Sequence, residues 1–336
     1  MTDIIKDELK ILRKEAQKQS KKIAIAITVT TQKFNSEIKV FPVRYTDDVV
    51  CLPIGIKNDK IAIKIIKKYD KFVDMFFVDS ENKIQECQDL LKKIQQVKTK
   101  NYVYPIKGND FSADATYAII VTIFKNLSKK NFCIVGAGNI GSKVALKLIE
   151  LGANVFVLNS NFKSSKNTAY AINTLKPKEC SQIASPISLS KIPNNLDGVI
   201  GFTRGIPAIT TKFIKKVKKD GIIFDGGTGT ITHEAIKLAK EKKLKVLKLD
   251  IRIGFESNVI LMTNAKKFVS EVLGIRKMNG FNIISGGYVG DYGDIVVDNF
   301  KKPKKIIGVA DGKGGLVDGS IIKKFKIIKN NVVMKN

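Results

Sequence analysis

The stretch that decides the fold is Phe132-Cys133-Ile134-Val135-Gly136-Ala137-Gly138-Asn139-Ile140-Gly141. Residues 132–135 are apolar and read as a buried strand. Apolar residues then recur at helical spacing over residues 140–151. Between them lies the pattern Gly136-Ala137-Gly138-Asn139-Ile140-Gly141. Gly136 permits a tight turn, Gly138 lets backbone approach a pyrophosphate, and Gly141 allows the helix to pack closely on the strand. The unpaired N–H groups at the helix start, with the positive end of its dipole, would meet phosphate charge. A glycine pattern alone is weak. Set between a strand and a helix, with a second strand at 155–158, it predicts a dinucleotide site.

Downstream, strands are expected at 198–201, 222–225 and 246–249, and helices at 168–175, 210–218 and 232–241. Such alternation implies a parallel sheet covered on both faces, a Rossmann-type domain. Upstream, a helix at 2–19 precedes short apolar runs at 23–29, 37–42, 49–54, 75–78 and 102–106. Helices fall at 59–68 and 84–96, and another over 110–122 leads into the glycine turn. Beyond about residue 270, glycines punctuate short apolar runs: Gly286, Gly287, Gly290, Gly293, Gly308, Gly312, Gly314, Gly315 and Gly319. The predicted class is α/β. An N-terminal α/β domain (1–128) would hold substrate, a Rossmann domain (129–268) would hold the cofactor, and a glycine-rich, mostly β segment (269–336) would pack on the cleft or on the N-terminal domain.

The chain has 336 residues and a formal charge of +28. Only five of its 59 basic residues are arginine (Arg13, Arg44, Arg204, Arg252, Arg276), and the lysines are spread along the chain. Bidentate recognition of phosphate or bases favours arginine, so the charge reads as a lysine bias and not as a nucleic-acid site. A basic surface would still attract anionic ligands. No apolar run reaches the length of a membrane helix, and the N-terminus lacks a signal core. Cys51, Cys87, Cys133 and Cys180 form no CxxC pair. With His233 as the single histidine, no metal site is expected. These features predict a cytoplasmic protein.

The residue that would meet the adenosine ribose is Asn159, where an acid would select NAD. Asn159 and Ser160 do not repel a 2′-phosphate, and Lys163 and Lys166 would neutralise one. The expected cofactor is NADP, with NAD the lesser choice. At this point "IVGAGNIGSKVALKLIELGANVFVLN" (134–159) and "DGVIGFTRGIPAITTKFIKKVKKDGIIFDGG" (197–227) resemble the two-domain NAD(P)-binding enzymes. That class includes shikimate dehydrogenase, methylenetetrahydrofolate dehydrogenase, alanine dehydrogenase and adenosylhomocysteine hydrolase. No single family is matched. The resemblance implies a cleft between domains and a dimer or larger assembly. Its second stretch passes the nicotinamide side, which brings in Thr203, Gly226 and Gly227.

Ligands of open parallel sheets sit beyond the carboxyl ends of the strands. Arg204, in Phe202-Thr203-Arg204-Gly205, would bind a substrate carboxylate or a cofactor phosphate. Its alternative is a plain surface arginine. Lys107, Asn109, Asp110 and Asp114 gather a cation, an amide and two acids before the connecting helix. Shikimate dehydrogenase uses a Lys and an Asp from comparable regions, which implies a proton relay of Lys107 with Asp110 or Asp114 and a substrate contact at Asn109. Asp110 or Ser112 could equally cap the helix. His233, in a helix first turn, has acid–base chemistry near neutral pH but reads more simply as a solvated residue.

The expected function is an NADP-dependent oxidoreductase acting on a small, carboxylate-bearing metabolite. Two alternatives stay open: an enzyme using tightly held NAD as an internal oxidant, and a nucleotide-sensing protein without turnover.

Overall fold

In the computed structural model, residues 2–29, 36–278 and 281–317 are described. Gly319 lies outside them. The first sheet begins after α1 (Thr2–Lys18), whose Ile5, Leu9, Leu12 and Ala16 recur every three or four residues and are all buried. There follow β1 (Lys22–Val29), β2 (Ile38–Val40), β3 (Arg44–Tyr45), β4 (Val49–Ile56), α2 (Asp59–Tyr69), β5 (Met75–Asp79), α3 (Leu90–Gln95) and β6 (Tyr102–Ile106). The order is β2-β4-β1-β5-β6, with β3 also on β4. β4, β1, β5 and β6 are parallel, while β2 and β3 run antiparallel to β4. The alternation of strand residues divides the sheet's faces. Ile23, Ile25, Ile27, Leu52 and Ile54 join the core formed with α1 and α2. The small Ala24 and Ala26 face the other way, leaving room on that side. The helix expected over 84–96 is split, because Asp89 sits in the left-handed region at φ 54° just before α3.

The second sheet comprises β7 (Asn131–Val135), β8 (Asn154–Leu158), β9 (Ala184–Pro186), β10 (Leu196–Gly201), β11 (Val217–Asp225) and β12 (Lys245–Lys248). Its helices are α4 (Gly108–Phe124), α5 (Asn139–Glu150), α6 (Phe162–Leu175), α7 (Thr211–Ile214), α8 (His233–Glu241) and α9 (Arg252–Lys267). The strand order is β12-β11-β10-β7-β8-β9, all parallel. This is the doubly wound arrangement, with the order reversing beside β7. Phe132, Ile134, Ile200 and Phe224 join one core with α4, α5 and α6. Cys133, Val135, Val199 and Ile223 join another with α7 and α8. Three features depart from sequence expectation. β9 is a three-residue strand holding a proline. The helix expected over 210–218 stops at Ile214 because β11 starts at Val217. α9 occupies a stretch where no helix was expected.

The chain divides into two compact units, Met1–Asn258 and Val259–Asn336. The second carries β13 (Gly274–Met278), β14 (Phe281–Ser285), β15 (Ile295–Val297) and β16 (Ile306–Val309), paired in that order. Ile283, Ile295 and Val297 form its core. The chain is thus α/β. Among the described residues no helix is long and apolar enough to cross a membrane.

Candidate active site

The glycine turn is built as its residues require. Gly136 has φ +83°, and a Cβ there would meet Thr203 Cγ2 at 2.8 Å and the Phe202 carbonyl at 3.0 Å. Gly141 packs α5 onto β7: a Cβ would meet Gly136 O at 2.9 Å and Ile134 Cγ2 at 3.1 Å. Gly138 differs. It precedes α5 with no side-chain cap, and nothing lies within 4 Å of where its Cβ would be. Open space over an uncapped helix start is what a pyrophosphate needs. Gly138 and Asn139 are exposed, Ala137 is buried and Ile140 is half-buried. The neighbouring loops are held in register, Phe202 N–H donating to Val135 O and Gly226 N–H to Gly201 O, each at 2.8 Å.

Ile140, Phe202, Arg204, Gly226, Gly227 and Thr228 line one wall of a cavity of about 320 Å³ within the first unit. The opposite wall is the small-residue face of the first sheet, with Ala26, Thr28 and Pro53. Phe41, Phe111 and Phe255 supply aromatic surface. Gly254 lets α9 come against α4, since a Cβ there would overlap Phe111 O. Phe255 then meets the Phe111 and Phe77 rings edge-on, at 5.8 and 6.2 Å between centroids.

Asp79, at the carboxyl end of β5, is 1% exposed and lines this cavity. Its Oδ2 accepts the Val29 N–H at 3.0 Å and the Lys83 ammonium at 2.6 Å, and its Oδ1 accepts the Glu81 N–H at 3.0 Å. Burial pushes the carboxyl above its ordinary value, with the Lys83 charge and these hydrogen bonds pulling back. Lys83 also pairs with Glu81 Oε2 at 3.0 Å, and the same Glu81 oxygen accepts the Asn109 N–H in the first turn of α4 at 2.8 Å. Gly108 leaves room for this ammonium, for a Cβ would stand 2.9 Å from Lys83 Nζ. A lysine so held presents a positioned proton donor to the cavity, and its partner keeps it there.

Asp79 and Lys83 were not singled out from sequence. The signals there were an acid directly after the buried run Met75-Phe76-Phe77-Val78 and a lysine four residues on. Arg44, also in the cavity lining, was passed over although arginine is scarce.

Of the residues that were singled out, Arg204, Asn109, Ile140, Gly226 and Gly227 come together around the cavity. Thr203 lies against Gly136, and its hydroxyl is bonded to the Ile206 carbonyl. Lys107, Asp110 and Asp114 are not among the lining residues. Asp110 lies between Lys107 at 3.2 Å and Lys143 of α5 at 2.5 Å, and Asp114 pairs with Lys147 at 3.2 Å. Burial raises the Asp110 carboxyl, but its bonds to Lys143 and Lys107 outweigh that and hold it below the usual range. The Lys143–Asp110 and Lys147–Asp114 pairs clasp α4 to α5. Asn159 turns into α6, its amide donating to Thr168 Oγ1 at 3.0 Å and Ser164 O at 3.3 Å. Ser160 and Lys163 are exposed beside it, and His233 is an exposed first-turn residue of α8. Lys166 lies over the Phe162 ring at 5.0 Å from its centroid.

Residues 108–252 match the NAD binding domain of the D-isomer specific 2-hydroxyacid dehydrogenases. Fold and match together put the chain among NAD(P)-dependent oxidoreductases, without specifying one family. No curated protein matches the chain. Similar solved structures include a dipicolinate synthase from Bacillus halodurans, 16% identical, with a TM-score of 0.35 over 64% of this chain and 71% of that one. A shikimate dehydrogenase from Aquifex aeolicus is 17% identical, with a TM-score of 0.41 over 73% and 93%. The 5-ketofructose reductase of Gluconobacter sp. strain CHM43 is 13% identical, with a TM-score of 0.46 over 73% and 93%.

Proposed function

We propose that the chain is an NADP-dependent dehydrogenase or reductase acting on a small, polar, carboxylate-bearing metabolite. The observation that carries this reading is one cavity with the cofactor-side glycines on one wall and, on the other, Lys83 held by the buried Asp79. In the domain scheme that goes with this reading, residues 1–128 hold the substrate, 129–268 the cofactor, and 269–336 form a separate glycine-rich segment.

The nicotinamide cofactor, when bound, gives or takes hydride. Gly136, Ala137, Gly138, Asn139, Ile140 and Gly141 hold its pyrophosphate, while Thr203, Gly226 and Gly227 allow its ring to approach. Asn159 spends its amide protons inside α6, so a 2′-phosphate falls to Ser160 and Lys163. No acid stands at the Asn159 position to oppose it. Lys83 holds the proton exchanged with the substrate oxygen, and Asp79 fixes the direction of that ammonium. The relay is assigned to this pair instead of Lys107, Asp110 and Asp114 because those three do not line the cavity and α5 lysines engage both acids. Asn109 and Arg204 contact substrate at the cavity edge. Four free cysteines, three of them buried, fit a reducing cytoplasm. A homodimer is carried by resemblance to the two-domain class.

The test is a thermal-shift comparison of NADP with NAD, followed by a screen for substrate-dependent NADPH oxidation. NADP should give the larger shift. Lys83→Met should keep that shift and lose turnover by about a hundredfold or more, as removal of a general acid does. A larger shift with NAD overturns the cofactor assignment, and full turnover in Lys83→Met overturns the relay.

A further inference from the structure

Arg44 lines the cavity from the first-sheet side. Its guanidinium lies over the Phe255 ring, 5.2 Å from the centroid. Among the described residues it makes no ion pair or side-chain hydrogen bond. Burial lowers its pKa, with Cys51 and the Asp250 charge pulling back. Two groups that feel its charge are already committed. Asp250 is bound by Arg252, whose Nε lies 2.9 and 2.8 Å from its two carboxylate oxygens. Cys51, paired across from Arg44 on β4, has its thiol pushed up to about 12 by burial and so stays neutral. The position is also fixed. β3 enters a tight turn in which the Thr46 N–H donates to Val49 O at 2.9 Å and the Val49 N–H to Thr46 Oγ1 at 3.0 Å. Tyr45 beside it donates to Glu15 Oε2 at 2.8 Å.

We infer that Arg44, seated on Phe255, is a carboxylate-binding subsite, so that the enzyme selects small carboxylates whose apolar body lies against Phe41 and Phe111. The inference rests on the proposed oxidoreductase reading for its role in turnover, but not for binding itself. A guanidinium offers a carboxylate two parallel N–H donors in a fixed plane, which an ammonium does not. An aromatic ring beneath it holds that plane and shields it from water. Among the described residues the cavity's one lining acid, Asp79, is bound to Lys83. Arg204 stands on the other wall, exposed, and anchors from the cofactor side.

The test uses the full chain with benzoate and benzamide, equal in shape and different in charge, titrated by calorimetry at low salt. Benzoate should bind the native protein at least about tenfold more tightly than benzamide. Arg44→Met should erase that preference, and Arg44→Lys should restore part of it while unfolding at the same temperature as the native chain. Bound NADP should protect Arg44→Met as it protects the native protein. Equal binding of the two probes to the native protein, or an undiminished preference in Arg44→Met, overturns the subsite. If neither NADP nor NAD stabilises even the native chain, the oxidoreductase reading falls, while the benzoate comparison still decides the role of Arg44.

Discussion

Two buried aspartates at opposite ends of their sheets show how one residue type titrates in opposite directions. Asp79 is raised by burial, so the folded chain binds its proton more tightly than the unfolded chain does. The stability this contributes is present below the unfolded value of about 3.9 and is lost as pH rises through the folded value. Asp197 is also pushed up by burial. The Asn131 N–H at 2.8 Å and the Lys218 ammonium at 2.9 Å outweigh it, so its folded value is depressed. Its contribution is present above about 3.9 and lost as pH falls through the folded value. Melting temperatures followed from acid to neutral pH should therefore diverge in sign. Relative to the native chain, Asp79→Asn should gain stability as pH rises and Asp197→Asn should lose it. Parallel slopes for the two variants would refute the assignment.

At the scale of elements, β7, its glycine turn and α5 form one device whose glycines do different work. Gly138→Ala places a methyl group in open space at φ −79°, so stability should change by less than about 0.5 kcal/mol while cofactor affinity falls at least about tenfold. Gly141→Ala drives a methyl group against Gly136 O and Ile134, and should cost about 1–3 kcal/mol of stability. Denaturant midpoints and NADP titrations on both variants separate the two roles. This device was legible because everything that defines it lies within a few residues: an apolar strand, glycines at fixed spacing and a periodic helix. α9 was not, because its start carries Gly254, and what makes that glycine acceptable is the distant Phe111 backbone. The same holds for the candidate site. Asp79 takes its meaning from the Val29 N–H fifty residues earlier, and Arg44 from the Phe255 ring more than two hundred residues later. Lys107, Asp110 and Asp114 looked like a site because they are close in sequence. α5 supplies the lysines that occupy both acids. Local spacing could locate the glycine turn, whereas the opposite wall of the cavity depends on tertiary contacts.

For the molecule as a whole, a net charge of +28 sets two quantities against each other. Like charges repel one another in the folded state, where they are held closer than in the unfolded chain, so the excess lysine lowers stability at low ionic strength. The same field draws in an anionic dinucleotide. Both effects fade as the Debye length shrinks from about 30 Å at 10 mM salt to about 10 Å at 0.1 M. Raising sodium chloride over that range should therefore raise the melting temperature of the free protein by a few degrees and weaken NADP binding several-fold. The opposite signs matter. A general salting effect on apolar burial would stabilise the fold without weakening the cofactor, and loss of structure would weaken both. A melting temperature insensitive to salt would mean that the net positive charge is spread too widely over the surface for its repulsion to cost stability.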